Sequence, residues 1–282
     1  MTAFATTHQK GTVLLLLITV IWGTSFPVLK DTLGSVHPAV LIAVRYSIAA
    51  IALLPWLRRV SRQLLRDGAL LGAILFAETA CALTGLDTIS ASRSAFIIGL
   101  NVIVVPFLGV LMGKQLSRRV LAAAGLAAMG MGAMSWDGGG LSLGDALTLA
   151  SAVGIAVYIV LLGAIAPRHP SLSLAAVQIW TVVGLGAIWA LPEVLHQGLG
   201  VSDRIPELVY LGLVVTIGPL WGQAAGQRWV PAHEAALLYT LEPVFATGFS
   251  IVLLGEGLNL NGAIGAACIL AATVVSRVNH SA

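Results

Sequence analysis

The sequence predicts an all-α membrane protein whose ten transmembrane helices form two inverted five-helix repeats. Three observations support this prediction: an apolar composition, a series of long apolar runs, and an uneven distribution of Lys and Arg among the loops. Of the 282 residues, 58% are hydrophobic and 10% are charged, whereas a soluble domain carries about 25% charged residues. A soluble fold with so few charges would expose large apolar patches. We therefore expect a lipid bilayer around this chain and no nucleic-acid partner.

The first half of the chain contains five apolar runs. A helix needs roughly 20 apolar residues to cross a hydrocarbon core about 30 Å thick. In chain order, the runs cover residues 11–29, 38–57, 68–86, 94–113 and 120–136. The second run contains Arg45 and the third contains Glu78, whereas the others carry no charged side chain. Because each run is continuous rather than alternating, helices are favoured over the strands of a membrane barrel.

The second half contains five further runs. They cover residues 146–167, 171–192, 208–227, 235–255 and 257–276. The fourth of these runs contains one charged residue, Glu242, and the other four contain none. An even total of ten helices returns the chain to its starting side, so both termini are expected on the same face of the membrane.

Lys and Arg indicate which face that is. The loops on the amino-terminal side carry Lys10, Arg58, Arg59, Arg62, Arg66, Lys114, Arg118, Arg119, Arg168, Arg228 and Arg277. The loops on the opposite side carry Lys30, Arg93 and Arg204. Because positive loops stay in the cytoplasm, we expect a multi-pass protein of the cytoplasmic (inner) membrane with both termini cytoplasmic.

The two halves resemble each other. We expect a first repeat over residues 1–136, a linker over residues 137–145 and a second repeat over residues 146–282. A repeat of five helices is odd, so the second copy must enter the membrane upside down. The charges agree, because GKQLSRR at 113–119 corresponds to GEGLNLN at 255–261, which has lost every Lys and Arg. Inverted repeats place a binding site near the bilayer midplane, between the halves.

Three charged residues fall inside the predicted spans, and each needs a physical reason because a charge at the bilayer centre costs at least about 2.5–3.5 kcal/mol. Glu78 has two interpretations: a contact for a substrate amine or a proton, or a structural partner for Arg45 on the preceding helix. Arg45 itself is interpreted as structural. Glu242 either lies beside a cavity or satisfies backbone groups that a kink at Pro243 sets free.

Prolines mark four candidate hinges, because each removes a backbone donor from a helix. They are Pro27, Pro106, Pro219 and Pro243. A broken, polar helix at this depth belongs next to a cavity rather than lipid. We therefore expect a substrate site there, formed by the polar and aromatic residues that accompany the breaks. The expected site residues are Trp22, Ser25, Phe26, Glu78, Asn101, Tyr158, Trp221, Tyr239 and Glu242.

Three stretches resemble the EamA family of the drug/metabolite transporter superfamily. They are VIWGTSFPVLK at 20–30, AALLYTLEPVFATGFSIVLLGEGL at 235–258 and GAIGAACILAATVVS at 262–276. Leu-Glu-Pro-Val-Phe and Leu-Gly-Glu are the specific elements, and length and layout look most like the YddG-type amino-acid exporters. The resemblance implies ten helices, cytoplasmic termini and a central cavity that opens alternately to each side. Helix 1 lacks the acid that small multidrug members of the superfamily use, so their proton-coupling scheme does not carry over.

These observations predict a secondary or facilitative transporter that exports small metabolites, with aromatic or hydrophobic amino acids favoured. GVLMGKQ at 109–115 fails the phosphate-loop pattern, because its glycines are too close and no Ser or Thr follows the Lys. Other cargoes remain open: a drug-like cation, a nucleotide sugar or a lipid. An intramembrane enzyme is the alternative of another class, but we expect no enzyme, because the two buried carboxylates lie far apart in sequence. We expect a small-molecule substrate, a surrounding bilayer, no cofactor, no metal and function as a monomer.

Overall fold

All regular structure that the computed structural model describes is helical. The described residues are 2–58, 60–89, 91–111, 113, 117–135, 142–245, 248–249 and 260–277. Several predictions fall on residues outside these ranges, among them Lys114, Trp136, the linker up to residue 141, and Gly255-Glu256. The α-helices are α1 (Thr2–Gly23), α2 (Ser25–Leu33), α3 (Pro38–Leu53), α4 (Arg62–Thr88), α5 (Ala91–Gly99), α6 (Asn101–Leu111), α7 (Arg118–Ser135), α8 (Leu143–Ile165), α9 (Ser171–Gln197), α10 (Ile205–Tyr210), α11 (Gly218–Gly226), α12 (Ala232–Tyr239) and α13 (Leu260–Arg277).

Every predicted apolar run overlaps at least one of these helices. Seven helical stretches of the described chain are long and apolar enough to cross a membrane: Thr7–Leu33, Pro38–Leu57, Arg62–Thr88, Arg93–Leu111, Leu143–Arg168, Ser171–Gln197 and Ser202–Gly226. Leu260–Ala272 is a shorter apolar helix. The chain is therefore a helical membrane protein.

Several helix boundaries differ from those that the apolar runs suggest, and two of them have a clear local cause. The run 171–192 ends at a proline, but α9 continues through Pro192 to Gln197 and ends at Gly198, whose φ of 72° suits glycine. Pro192 lies near the end of its helix, so only one late hydrogen bond is lost. The other difference is α8, which begins inside the predicted linker. Ser142 accepts from Asp145 N while Asp145 accepts from Ser142 N, and this capping box fixes the start of the helix.

Four of the apolar segments contain an interruption of the α-helix. The first breaks at Thr24 between α1 and α2, and another breaks at Leu100 between α5 and α6. A π-helical segment, Leu211–Ile217, joins α10 to α11. The fourth break follows Tyr239, where α12 ends and residues 240–241 form a turn before helical structure resumes at residues 242–245.

The core lies where the long helices pack against one another. α4 packs on α8 and α9, α3 packs on α9, and α1 packs on α11. α7 packs on α13, and a Cβ on Gly130 would stand 2.7 Å from Gly265 O, so these two backbones are in close contact. Glycine permits the same approach at Gly85 of α4, where a Cβ would stand 2.8 Å from Gly144 O of α8.

Candidate functional site

A central cavity lies where the interrupted helices meet. Each of the four interruptions contributes side chains to its wall: Ser25 and Phe26 from the break at Thr24, Asn101 from the break at Leu100, Thr216 from the π-helical segment, and Tyr239 and Glu242 from the break after α12. The cavity encloses about 170 Å³ and its wall combines apolar side chains with a small number of polar ones. This composition is typical of a small-molecule site.

Most of the residues predicted for the site line this cavity. They are Trp22, Ser25, Phe26, Glu78, Asn101, Tyr158, Tyr239 and Glu242. Trp221 does not line it, and is 40% exposed on the outside of α11. The helix explains this difference: α11 turns Pro219, Leu220 and Gln223 towards the cavity, and the 3.6-residue period then directs Trp221 away.

The aromatic wall joins the two halves of the chain. The Trp22 ring meets the Tyr239 ring edge to face, with centroids 5.3 Å apart and planes at 71°, a favourable arrangement for two aromatic rings. Ser25 Oγ donates to Trp22 O at 2.8 Å, across the break between α1 and α2. Tyr158 donates its hydroxyl proton to Gln178 Oε1 at 2.7 Å, so its ring is held against the wall from outside the cavity.

The polar wall contains one cation and two carboxylates. Arg45 of α3 donates through Nε to Thr216 Oγ1 at 2.7 Å. Glu78 of α4 accepts from the Thr79 hydroxyl at 2.9 Å and from the Ser151 hydroxyl at 3.4 Å. Arg45 and Glu78 both lie in the described part of the structure, and no ion pair joins their side chains. The structural pairing considered for Arg45 and Glu78 is therefore absent from this state, although both side chains line the same cavity.

Asn101 explains why its helix breaks at Leu100 rather than at Pro106. Its Nδ2 donates to Ile98 O at 2.8 Å, and a side chain that bonds a nearby carbonyl competes with the helical backbone. Asn101 Oδ1 is buried in the described part of the structure without a hydrogen-bond partner. Pro106 lies inside α6, which continues past it.

The other three prolines lie close to interruptions. Pro27 is in the first turn of α2, so it cannot bond Gly23 O, and the helix breaks at that point. Pro219 follows the π-helical segment at the start of α11. Pro243 comes just after the turn that ends α12, and its missing N–H leaves Tyr239 O without the usual helical bond. Whether any of the four prolines acts as a hinge stays a prediction.

The cavity also contains residues that the sequence interpretation missed or assigned elsewhere. Arg45, interpreted as structural, points into the cavity together with its neighbour Tyr46. Thr216 and Gln223 were not singled out, although a spacing of seven puts both on one helical face. Two polar residues at that spacing in an apolar run were the available signal.

Polar side chains connect neighbouring helices at both ends of the helix assembly. On the side predicted to face outward, Lys30 Nζ donates to the carbonyls of Leu86, Asp87 and Ile89 at the end of α4, at 2.6–3.1 Å. Arg93 also pairs with Asp145 there, with Nε 2.6 Å from Oδ1. On the side predicted to be cytoplasmic, His169 Nε2 lies 2.7 Å from Asp67 Oδ2, and His8 Nε2 lies 2.9 Å from Glu234 Oε2.

The sequence model of the EamA-like transporter family matches residues 9–136 and again residues 142–278. The chain belongs to the EamA-like transporter family. The resemblance drawn from the Leu-Glu-Pro-Val-Phe and neighbouring elements is therefore confirmed. The described residues contain no group of three or more His, Cys, Asp or Glu that could hold a metal ion.

Two known proteins are similar to this chain over most of their length. An Archaeoglobus fulgidus protein named "Uncharacterized transporter" is 27% identical over 262 residues, covering 93% of this chain and 83% of that protein. A Salmonella typhimurium protein named "Probable amino-acid metabolite efflux pump" is 27% identical over 288 residues, covering 91% of this chain and 92% of the other. A solved crystal structure aligns with a TM-score of 0.78 at 18% identity, over 95% of this chain and 97% of that one. The last match concerns the fold alone. Family and relatives indicate a transporter.

Proposed function

We propose that this protein exports small amphipathic metabolites, foremost amino acids with aromatic or hydrophobic side chains, by secondary or facilitative alternating access through the central cavity. One observation carries the proposal: four interrupted helices meet at a cavity whose wall combines aromatic side chains with charged ones. Broken helices around a midplane cavity are the arrangement that secondary transporters use to bind substrate and rearrange around it.

The size and lining of the cavity support a small cargo. An apolar cavity on the order of 150 Å³ accepts benzene, and this one encloses about 170 Å³. A ring-bearing amino acid suits such a volume better than a nucleotide sugar or a lipid. The Trp22 and Tyr239 rings would pack against an apolar side chain, while Arg45, Glu78 and Asn101 would bind its polar end.

Helix packing supports the inverted-repeat architecture with ten spans, five in each half. In an inverted repeat, each helix of one half has an equivalent in the other half, so a contact between two helices should recur between their equivalents. The contact of α4 with α8 corresponds in this way to that of α11 with α1, and both occur. The contact of α4 with α9 becomes that of the π-helical segment with α3, and both occur as well. The α3–α9 contact joins two equivalent helices, and so does the α7–α13 contact. The two segments that match the family, residues 9–136 and 142–278, agree with repeats over residues 1–136 and 146–282.

The carboxylates of Glu78 and Glu242, which share the cavity wall, favour one second candidate, a drug-like cation. Two acids and a single arginine would attract a cation that lacks a carboxylate. Competition between amino acids and amines for the same site separates the two cargoes.

Counterflow in proteoliposomes tests the proposal. Vesicles preloaded with unlabelled L-phenylalanine should accumulate labelled L-phenylalanine, and a lipophilic cation should compete weakly. Trp22→Ala should slow counterflow about tenfold or more, because the aromatic wall loses its largest ring. Trp180→Ala is the matched control, since Trp180 is 37% exposed and lies outside the cavity. If a panel of amino acids gave no counterflow in wild-type vesicles, the proposed cargo would be wrong.

Cysteine labelling tests the orientation. In a variant whose Cys81 and Cys268 are replaced by Ala, single cysteines at Arg62 and Asp203 report on opposite faces. We expect an impermeant maleimide to label Asp203→Cys from outside intact cells and Arg62→Cys only after the membrane is opened. Both native positions are exposed, so labelling of both from outside would contradict the proposed orientation with cytoplasmic termini.

A further inference from the structure

Arg45 is a buried cation whose charge is only partly satisfied by the protein. The residue is 7% exposed and lines the central cavity. Its Nε donates to Thr216 Oγ1, and the guanidinium carbon lies 5.5 Å from the centroid of the Tyr46 ring. In the described part of the structure, no hydrogen bond or ion pair joins either terminal nitrogen to a protein group. Burying a guanidinium whose terminal nitrogens have no hydrogen-bond acceptor is costly, so an acceptor for these two nitrogens is expected to come from a bound ligand.

The guanidinium is held in a fixed direction. Thr216 Oγ1, which accepts from Nε, itself donates to Leu211 O at 2.8 Å across the π-helical segment. Because Nε is occupied, the two terminal nitrogens form the free edge of a planar fork. Such an edge matches the two oxygens of a carboxylate.

Glu78 supplies the opposite charge in the same cavity. Among the described residues, its carboxylate accepts from two neutral hydroxyls, those of Thr79 and Ser151, and does not pair with Arg45. The wall carries one cation and, in Glu78 and Glu242, two carboxylates. Because Arg45 and Glu78 share the cavity without direct contact, they are complementary to a ligand that carries both charges. A ligand with only a positive charge would leave Arg45 without a partner, and a ligand with only a negative charge would leave Glu78 without one.

We propose that Arg45 and Glu78 are the specificity-determining pair of the cavity, with the terminal nitrogens of Arg45 binding the carboxylate and Glu78 binding the ammonium of a zwitterionic α-amino acid. This inference rests on the proposed function and names the groups that select the cargo. The ligand bridges two charges that the protein keeps apart, so a molecule with one of the two groups leaves a buried charge without a partner.

Three small ligands of the same ring size test the pair on the wild-type protein. They are L-phenylalanine, phenethylamine, which lacks the carboxylate, and 3-phenylpropionate, which lacks the ammonium. Competition against labelled L-phenylalanine in counterflow gives their relative affinities. A hydrogen bond to a charged group corresponds to roughly a tenfold to hundredfold change in affinity. Both truncated ligands should therefore bind at least about tenfold more weakly than L-phenylalanine.

Two variants assign the groups to residues. Arg45→Gln should reduce the affinity for L-phenylalanine about tenfold or more and leave that for phenethylamine unchanged, because the amine never used the guanidinium. Glu78→Gln should also reduce the affinity for L-phenylalanine about tenfold or more, and should leave that for 3-phenylpropionate unchanged, because this ligand has no ammonium. Thr216→Val keeps the arginine but frees its Nε, and should give an intermediate loss for L-phenylalanine. Arg62→Gln, an exposed arginine at the start of α4, is the matched control and should bind all three ligands as the wild type does.

The results that would contradict the Arg45–Glu78 pair differ from those that would contradict the proposed function. If amino acids are transported but wild-type protein binds phenethylamine as tightly as L-phenylalanine, the pair is wrong and the export proposal stands. The same holds if Arg45→Gln binds L-phenylalanine normally. If no amino acid is transported and phenethylamine binds tightly, both proposals are wrong and the cargo is a cation. The ligand series on wild-type protein decides the matter even if Arg45→Gln fails to fold.

Discussion

Replacing Arg93 and Asp145, singly and together, should reveal a strong coupling between α5 and α8. Arg93 donates through Nε to Asp145 Oδ1 at 2.6 Å and through Nη2 to Asp145 Oδ2 at 3.1 Å. The two side chains are 6% and 4% exposed. Asp145 also accepts from Ser142 N at 2.6 Å and from Ser142 Oγ at 2.8 Å. One carboxylate therefore holds an arginine of α5 and caps the start of α8.

The structure sets an order of magnitude for each change. Breaking a buried ion pair by removing one partner costs about 3–5 kcal/mol. Arg93→Met should fall at the lower end of that range, since Asp145 keeps its two donors from Ser142. Asp145→Leu should cost roughly 1 kcal/mol more than Arg93→Met, because Ser142 N and Ser142 Oγ also lose the carboxylate that accepts from them in the capping box. In the double variant no buried charge is left over from the pair, so its cost should be far below the sum of the two.

Unfolding in detergent, with increasing SDS and tryptophan fluorescence as the signal, measures these free energies. Ser142→Ala is the matched control: it removes the cap that Asp145 N forms with Ser142 Oγ at 3.2 Å, and should cost about 1 kcal/mol. If the costs of Arg93→Met and Asp145→Leu simply add in the double variant, the two residues do not act as a pair, and the reasoning is refuted.

Two further predictions concern helix breaks and helix contacts. Pro243→Ala supplies the missing N–H after α12 and allows a helical bond to Tyr239 O, so transport should fall while melting temperature holds or rises; counterflow at the normal rate would contradict the hinge. Gly85→Ala should destabilise the protein by about 1–3 kcal/mol through overpacking, since its Cβ would stand 2.3 Å from Thr148 Oγ1. Gly125→Ala, where nothing lies within 4 Å of the new Cβ, should be neutral or slightly stabilising in the same unfolding assay; equal losses for both would show that packing is not the cause.

Hydropathy was enough to locate the helices, but not their internal breaks. An apolar run reports that a segment avoids water, and this holds equally for an α-helix and for the π-helical segment Leu211–Ile217. Prolines did mark the breaks near residues 24 and 240, because a missing N–H is visible in the sequence. The break at Leu100 was assigned to Pro106 instead, since the Asn101 side-chain bond to Ile98 O depends on a rotamer that sequence does not specify.

The site was predicted best where a polar or aromatic residue adjoins a break. Trp22 and Tyr239 were both predicted for the site, and their rings are in contact. Trp221 was assigned to the cavity because its run is deep and apolar, but depth does not determine which face of a helix turns inward. Arg93 and Asp145 lie 52 positions apart, and both were assigned to loop segments outside the spans. A buried pair of that kind requires the packing of α5 on α8, which a single sequence does not reveal.

The helix breaks and the polar lining of the cavity have a common physical origin. A break at bilayer depth leaves backbone groups without helical partners, and lipid cannot supply them. Side chains next to the breaks take over: Ser25 bonds Trp22 O, and Thr216 bonds Leu211 O. The same side chains, or their neighbours, face the cavity. Any rotation about a break must therefore move binding groups and hinge together, which would couple the presence of a ligand to the direction in which the cavity opens.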